Sequence, residues 1–217
     1  MSEKKPFNPI EIPNIALNLA LEVLEQPVHP LPPLPRPVGA GVYLLYYRGN
    51  FEPYRCFQKA NHTKIPIYVG KADRKGMRKG FKFDPPQAHE ISGRLKQHIN
   101  SITRADNLEL SDFACRYLSV EDSFIGLAES ILVSIFDPLW NRILDGFGNN
   151  PTGIPRSGQA ISKWDQFHSG RRRGSGDGRV DLAVLSQHVS DYFQNSEGLP
   201  DERLLLIRQR IEKYGLG

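Results

Sequence analysis

The sequence predicts an α+β fold, in which a small sheet of about three short strands is flanked by helices and carries basic insertions and extensions at both ends. Three observations point to it. Residues 41–47 alternate, with Val42, Leu44 and Tyr46 on one face and Tyr43, Leu45 and Tyr47 on the other, which is the period of a strand. Residues 90–103 place Ile91, Leu95, Ile99 and Ile102 on one stripe of a helix. Apolar runs at 65–70 and 113–118 read as two further strands and 122–136 as a second helix, giving the order β-β-α-β-α.

A chain of 217 residues, 39% hydrophobic and 24% charged, has enough apolar material for one core with appendages and is not a disordered tail. The longest apolar run, Phe124 to Phe136, is broken by Glu129 and is too short to span a bilayer. Met-Ser-Glu-Lys-Lys at the start has no apolar stretch of the signal-peptide kind, so the expected location is the cytoplasm. Cys56 and Cys115 form no metal spacing with the six histidines and are expected as free thiols.

Taken in order, residues 1–37 read as a proline-rich arm. A short amphipathic helix is expected over 15–24, followed by an extended polyproline stretch over 27–37. After the first strand, an insertion over 48–64 carries Tyr54, Arg55, Phe57, Lys59, His62 and Lys64. Interleaved aromatics and bases suit contact with DNA, and they equally suit capping the edge of a sheet. The second strand, 65–70, is expected to stop at Gly70. Beyond Lys71 a glycine- and proline-rich loop holds Arg74, Lys75, Arg78, Lys79 and Lys82, a candidate surface for phosphates. It is not a nucleotide-binding phosphate loop, because Gly70-Lys71 lacks the upstream glycine and Ala72 stands where Ser or Thr would be needed.

On the helix over 90–103, Arg94 and His98 lie four residues apart and can address one phosphate together; a surface ion pair and a solvated histidine would account for them as well. On the helix over 122–136, Glu129 has Ile125, Gly126, Leu132 and Val133 within one turn. A carboxylate emerging from so apolar a surface needs a cation beside it. That cation is either a Lys or Arg in a structural ion pair or a divalent metal. Asn141 places an amide just past the helix. Residues 146–180 read as a basic Gly- and Arg-rich segment expected to contact DNA through Arg171, Arg172 and Arg173, in which Ile154, Ile161, Trp164 and Phe167 are expected to dock on the core. Two helices are expected in 181–217, over 181–195 and 201–214.

Charge is segregated along the chain. The net of +4 and pI near 9.1 conceal nine bases against three acids over 71–104, a net of +6, and seven against three over 142–179, a net of +4. Residues 105–141 carry one base and seven acids, a net of −6. Basic segments on either side of the candidate site suit a polyanion such as nucleic acid.

Gly41-Val42-Tyr43, Tyr68-Val69-Gly70-Lys71, and then Arg94, Glu129 and Asn141 in that order resemble the catalytic core of the GIY-YIG nuclease family. Valine replaces both isoleucines of the family name, which keeps β-branched residues in the strands. The resemblance covers roughly residues 38–142, within a core expected over 38–145, and implies that the sheet is antiparallel. It implies hydrolysis of a DNA phosphodiester assisted by Mg²⁺, for which Mn²⁺ would substitute, with Glu129 as the metal ligand and a 5′-phosphate left on the product. It further implies that Tyr43 and His98 orient water and take its proton, and that Arg94 stabilises phosphate charge. Tyr68 and Lys71 would complete the phosphate cradle, while Asn141 would hydrogen-bond around the metal.

Many relatives have tyrosine where this chain has His98. That histidine, and the absence of a zinc finger, heptad region or tethered binding domain, look most like the type II restriction branch. The branch implies a prokaryotic protein that cuts a short palindromic site in double-stranded DNA as a homodimer. The alternatives are a GIY-YIG nuclease of DNA repair or homing, and a DNA-binding module that does not cleave.

Overall fold

The computed structural model describes residues 10–59, 65–74, 89–149, 160–171 and 176–196. Four strands form one antiparallel sheet in the spatial order β1-β4-β2-β3: β1 (His29–Leu31), β2 (Gly41–Tyr47), β3 (Tyr68–Ala72) and β4 (Phe113–Ser119). Seven helices accompany it among the described residues: α1 (Ile12–Glu25), α2 (Cys56–Lys59), α3 (Glu90–Thr103), α4 (Ile125–Phe136), α5 (Leu139–Arg142), α6 (Lys163–Phe167) and α7 (Leu182–Ser196). None of the described helices is long and apolar enough to cross a membrane.

Every residue of β2 is buried, because both faces of the sheet are covered. Val42, Leu44 and Tyr46 pack with Ala20 and Val23 of α1 and with Ala128 and Leu132 of α4. On the opposite face Tyr43, Leu45 and Tyr47 pack with Ile91, Leu95 and Ile102 of α3 and with Trp140 of α5. Each such aliphatic side chain contributes roughly 1.5–3 kcal/mol by leaving water. The two-sided alternation of β2 therefore fixes where α3 and α4 lie, and the site is assembled between them.

Several boundaries differ from expectation for identifiable reasons. The proline-dense stretch over 27–37 is not wholly a polyproline arm: His29–Leu31 pairs with Phe113–Cys115 as a fourth, edge strand. An edge tolerates Pro30, whose missing N–H is not needed on the solvent side. The helix before it runs over 12–25 and packs against α4 and β4. The second strand passes through Gly70 to Ala72, where it pairs with Gly41. In the insertion after β2, Tyr54 and Phe57 are core residues, and Arg55 forms an exposed pair with Glu52 at 3.5 Å. The DNA-contact option for these aromatics gives way to packing; His62, Lys64 and the helix expected over 201–214 lie outside the described residues.

Candidate active site

Tyr43 sits at the middle of β2, opposite Gly70 of β3. A side chain on Gly70 would collide with the Tyr43 hydroxyl and lie 2.8 Å from the Tyr68 ring, so the glycine of Tyr-Val-Gly is what lets the two phenols occupy neighbouring positions on one face. From α3, His98 enters the same space and is 2% exposed. Its Nε2 lies 2.6 Å from the Tyr43 hydroxyl. The Tyr68 ring meets the imidazole edge-on, at 5.3 Å between centroids.

Burial pushes the Tyr43 phenol well above its ordinary value of 10.0; the charges of Tyr68 and Glu129 push the same way, and only Arg94 opposes. Tyr68 is pushed up to about 12, mainly by burial, with Arg94 lowering and Glu129 raising it. Both phenols therefore hold their protons at neutral pH. In the tautomer with the imidazole's proton on Nδ1, Tyr43 donates to Nε2 of His98. A neutral imidazole in this arrangement can accept a proton through the phenol it is bonded to.

Lys71 is one residue past Gly70 and points to the opposite face of the edge strand, where α4 lies. Its Nζ is 3.4 Å from Glu129 Oε2 and 3.8 Å from Asp73 Oδ2. The cation that the apolar setting of Glu129 demands is thus supplied by Lys71. Arg94 Nε donates to the Lys71 carbonyl at 3.4 Å and its NH1 to Gln97 at 3.1 Å, which holds the guanidinium near the end of β3. Among the described residues no group of three or more His, Cys, Asp or Glu could hold a metal. Glu129 offers oxygen donors that suit a hard cation, and its side chain is 28% exposed. Mg²⁺ takes one or two carboxylates and completes its shell with water.

Asn141 does something other than serve the metal. Its Oδ1 accepts from the Val69 N–H and its Nδ2 donates to the Val69 carbonyl, both at 2.8 Å. Since β3 is an edge strand, this amide takes the place of a missing strand partner, and Trp140 N extends the pairing by donating to Ile67 O at 2.9 Å. The expectation that Asn141 hydrogen-bonds around a metal is corrected to a clamp on the strand that carries Tyr68 and Lys71.

The expected DNA-contacting bases divide into two groups. Lys75, Arg78, Lys79, Lys82, Arg172 and Arg173 lie outside the described residues. Arg74 donates to Asp122 Oδ2 at 2.8 Å. Arg171 is a correction, because it is 4% exposed and its guanidinium bonds both carboxylate oxygens of Asp165, at 2.6 and 2.8 Å. Such a group cannot also reach DNA.

Sequence reasoning missed Phe147. Its ring stacks on His98 at 4.5 Å and 19°, and the next residue, Gly148, passes so close to the Tyr68 hydroxyl that a Cβ there would collide with it. An aromatic between two glycines was the available signal, but the composition of that region resembles a loop.

An antiparallel sheet presenting two phenols, an imidazole, a guanidinium and the Glu129 carboxylate around its edge strand defines a core of the GIY-YIG nuclease class. The family described as the Eco29kI GIY-YIG domain matches residues 36–190. This protein belongs to that restriction endonuclease family, and every candidate catalytic residue falls inside the match. A comparison with curated proteins found no match.

Proposed function

We propose that the protein is a site-specific endonuclease of a prokaryotic restriction system. It acts in the cytoplasm as a homodimer, cutting both strands of a short palindromic DNA site by metal-assisted hydrolysis and leaving 5′-phosphates. The observation that carries this reading is the hydrogen bond from Tyr43 to His98 beside Arg94, within the matched region. Water attacks phosphorus while the bond to the 3′ oxygen breaks, and the 3′ oxygen takes its proton from solvent water. As the water's oxygen bonds to phosphorus, its proton passes to Tyr43 and the phenol's own proton passes to Nε2 of His98. Arg94 stabilises charge on the non-bridging oxygens, and Tyr68 holds the phosphate in register.

Glu129 would hold Mg²⁺ or Mn²⁺, which would supply charge neutralisation for the departing 3′ oxygen. Lys71, 3.4 Å from Glu129 Oε2, holds the carboxylate in place. The test is incubation with plasmid DNA, with and without Mg²⁺, of the native protein and Glu129→Gln. Discrete fragments from the native protein alone, with DNA binding retained by the variant, are expected. A smear would make it a nonspecific nuclease, and a gel shift without cutting a DNA-binding module. Near-normal cutting by Glu129→Gln at saturating Mg²⁺ would remove Glu129 from the metal site.

A further inference from the structure

The buried Arg171 faces the back of the catalytic pair rather than solvent. Its NH1 donates to Phe147 O at 2.8 Å and its NH2 to Gly146 O at 3.0 Å, two consecutive carbonyls of one turn. NH1 also reaches Ser101 Oγ at 3.3 Å, one turn beyond His98 on the same helix. Asp165 anchors the other edge of the fork through both oxygens, and Ser162 Oγ donates to that carboxylate at 2.6 Å. The ring of Trp164 covers the guanidinium face at 4.4 Å. On the far side of the turn the Phe147 ring lies flat on the imidazole of His98 and edge-on to Tyr68 at 5.0 Å.

Stability alone does not require this arrangement, since apolar side chains of similar volume commonly replace a buried ion pair without destabilising the fold. What a planar, multidentate guanidinium adds is geometry: it fixes two carbonyls and a helix hydroxyl in one plane. We infer that the Gly146-Phe147-Gly148 turn, held from behind by Arg171, positions the imidazole and second phenol of the active site, and that Arg171 is a positioning residue for cleavage. The inference rests on the nuclease reading above. Within that reading His98 must stay within hydrogen-bonding reach of Tyr43, and a displacement of about 1 Å can cost on the order of 100-fold in rate.

The test uses Arg171→Lys, which keeps a positive charge beside Asp165 but cannot reach both carbonyls and Ser101 together. Phe147→Leu leaves the ion pair intact and carries the same expectation should Arg171→Lys fold poorly. In each variant the His98 imidazole resonances of the DNA-free protein should shift or broaden. The single-turnover rate at saturating DNA and Mg²⁺ should fall about 10- to 100-fold, with the DNA Kd within about twofold. In the Phe147→Leu background, adding Arg171→Lys should change the rate by less than about twofold, because the two act through one contact. Unchanged imidazole resonances in Arg171→Lys, where the Phe147 ring is retained, would overturn the inference. So would equal rate reductions from Arg171→Lys in the two backgrounds, or a weakened Kd with the rate intact. If the native protein does not cut DNA, the nuclease reading fails, and the imidazole resonances still decide whether Arg171 positions His98.

Discussion

Tyr43 lies 2.6 Å from His98 in the candidate site and Tyr54 2.5 Å from His168 outside it, both pairs buried; the neighbours of each pair decide its work. Around His168 the hydrogen bonds form a closed series. Trp140 Nε1 donates to the Tyr54 hydroxyl at 2.9 Å, Tyr54 donates to Nε2, and Nδ1–H donates to Asn107 Oδ1 at 2.8 Å. There is no place for a second proton, and burial with the nearby Arg171 lowers His168 from 6.5 to about 3. The unfolded chain takes up that proton near 6.5 while the folded one does so only near 3. The stability this histidine confers is therefore complete above about pH 6.5 and lost as pH falls toward 3, at up to roughly 1.4 kcal/mol per pH unit. Urea unfolding between pH 7 and 4 should show this acid slope, and His168→Gln should flatten it while lowering stability at pH 7. An equally steep slope in the variant would assign the acid destabilisation to other groups.

In the proposed mechanism, the same pairing between Tyr43 and His98 serves as a proton path. Because burial holds the Tyr43 phenol well above 10, the expected switch for cleavage near neutrality is His98 rather than Tyr43. The rate should rise across the range in which an imidazole loses its proton and then level off. Tyr43→Phe should lower the rate at every pH, by up to about a thousandfold, since it removes the link between water and Nε2. His98→Tyr should move the rising limb toward alkaline pH. Single-turnover pH profiles decide between the two. An unshifted limb in His98→Tyr together with the disappearance of the limb in Tyr43→Phe would transfer the base role to Tyr43.

At the scale of elements, the edge strand β3 is the weak point, because Tyr68 and Lys71 are useful only while it stays in register. Asn141 satisfies both outward backbone groups of Val69. Asn141→Ala should cost about 1–3 kcal/mol, the penalty for leaving such groups without protein partners. Thermal unfolding should detect it as a drop of a few degrees, while the Mg²⁺ concentration for half-maximal cleavage stays unchanged. A shifted Mg²⁺ requirement with unaltered melting would return Asn141 to the metal.

The elements readable in the sequence are those whose pattern is local. The alternation of β2 and the helical stripe of α3 appear where expected because each buries its apolar positions against the same partners along its whole length. Prolines hide β1, since they suit an extended arm and an edge strand equally. Asn141 can be placed after a helix, but its partner is 72 residues away in sequence, and an amide gives no sign of which backbone it will meet. Arg171 misleads for a related reason: next to Arg172, Arg173 and two glycines it has the composition of a phosphate-binding run, and only the docking of Trp164 and Asp165 turns it inward.

For the molecule as a whole, the segregated charge has a partial internal use. In the acidic stretch over 105–141, Asp122 is engaged by Arg74 and Asp137 by Arg142, at 2.8 and 2.7 Å. With Arg171 turned inward, Arg172 and Arg173 remain as the candidates of their run for phosphate binding. Each phosphate neutralised releases counterions, so log K falls with log salt by about 0.9 per phosphate. Replacing Arg172 and Arg173 with Ala should weaken DNA binding and flatten that dependence by about one unit for each phosphate no longer neutralised. Arg171→Lys should leave the slope as it is, because its guanidinium is spent on Asp165 and the Gly146-Phe147 carbonyls. Binding titrations across a salt series separate the two. A slope unchanged by the double substitution would make Arg172 and Arg173 part of a solvated linker, and a slope lowered by Arg171→Lys would show that the run engages DNA as a unit.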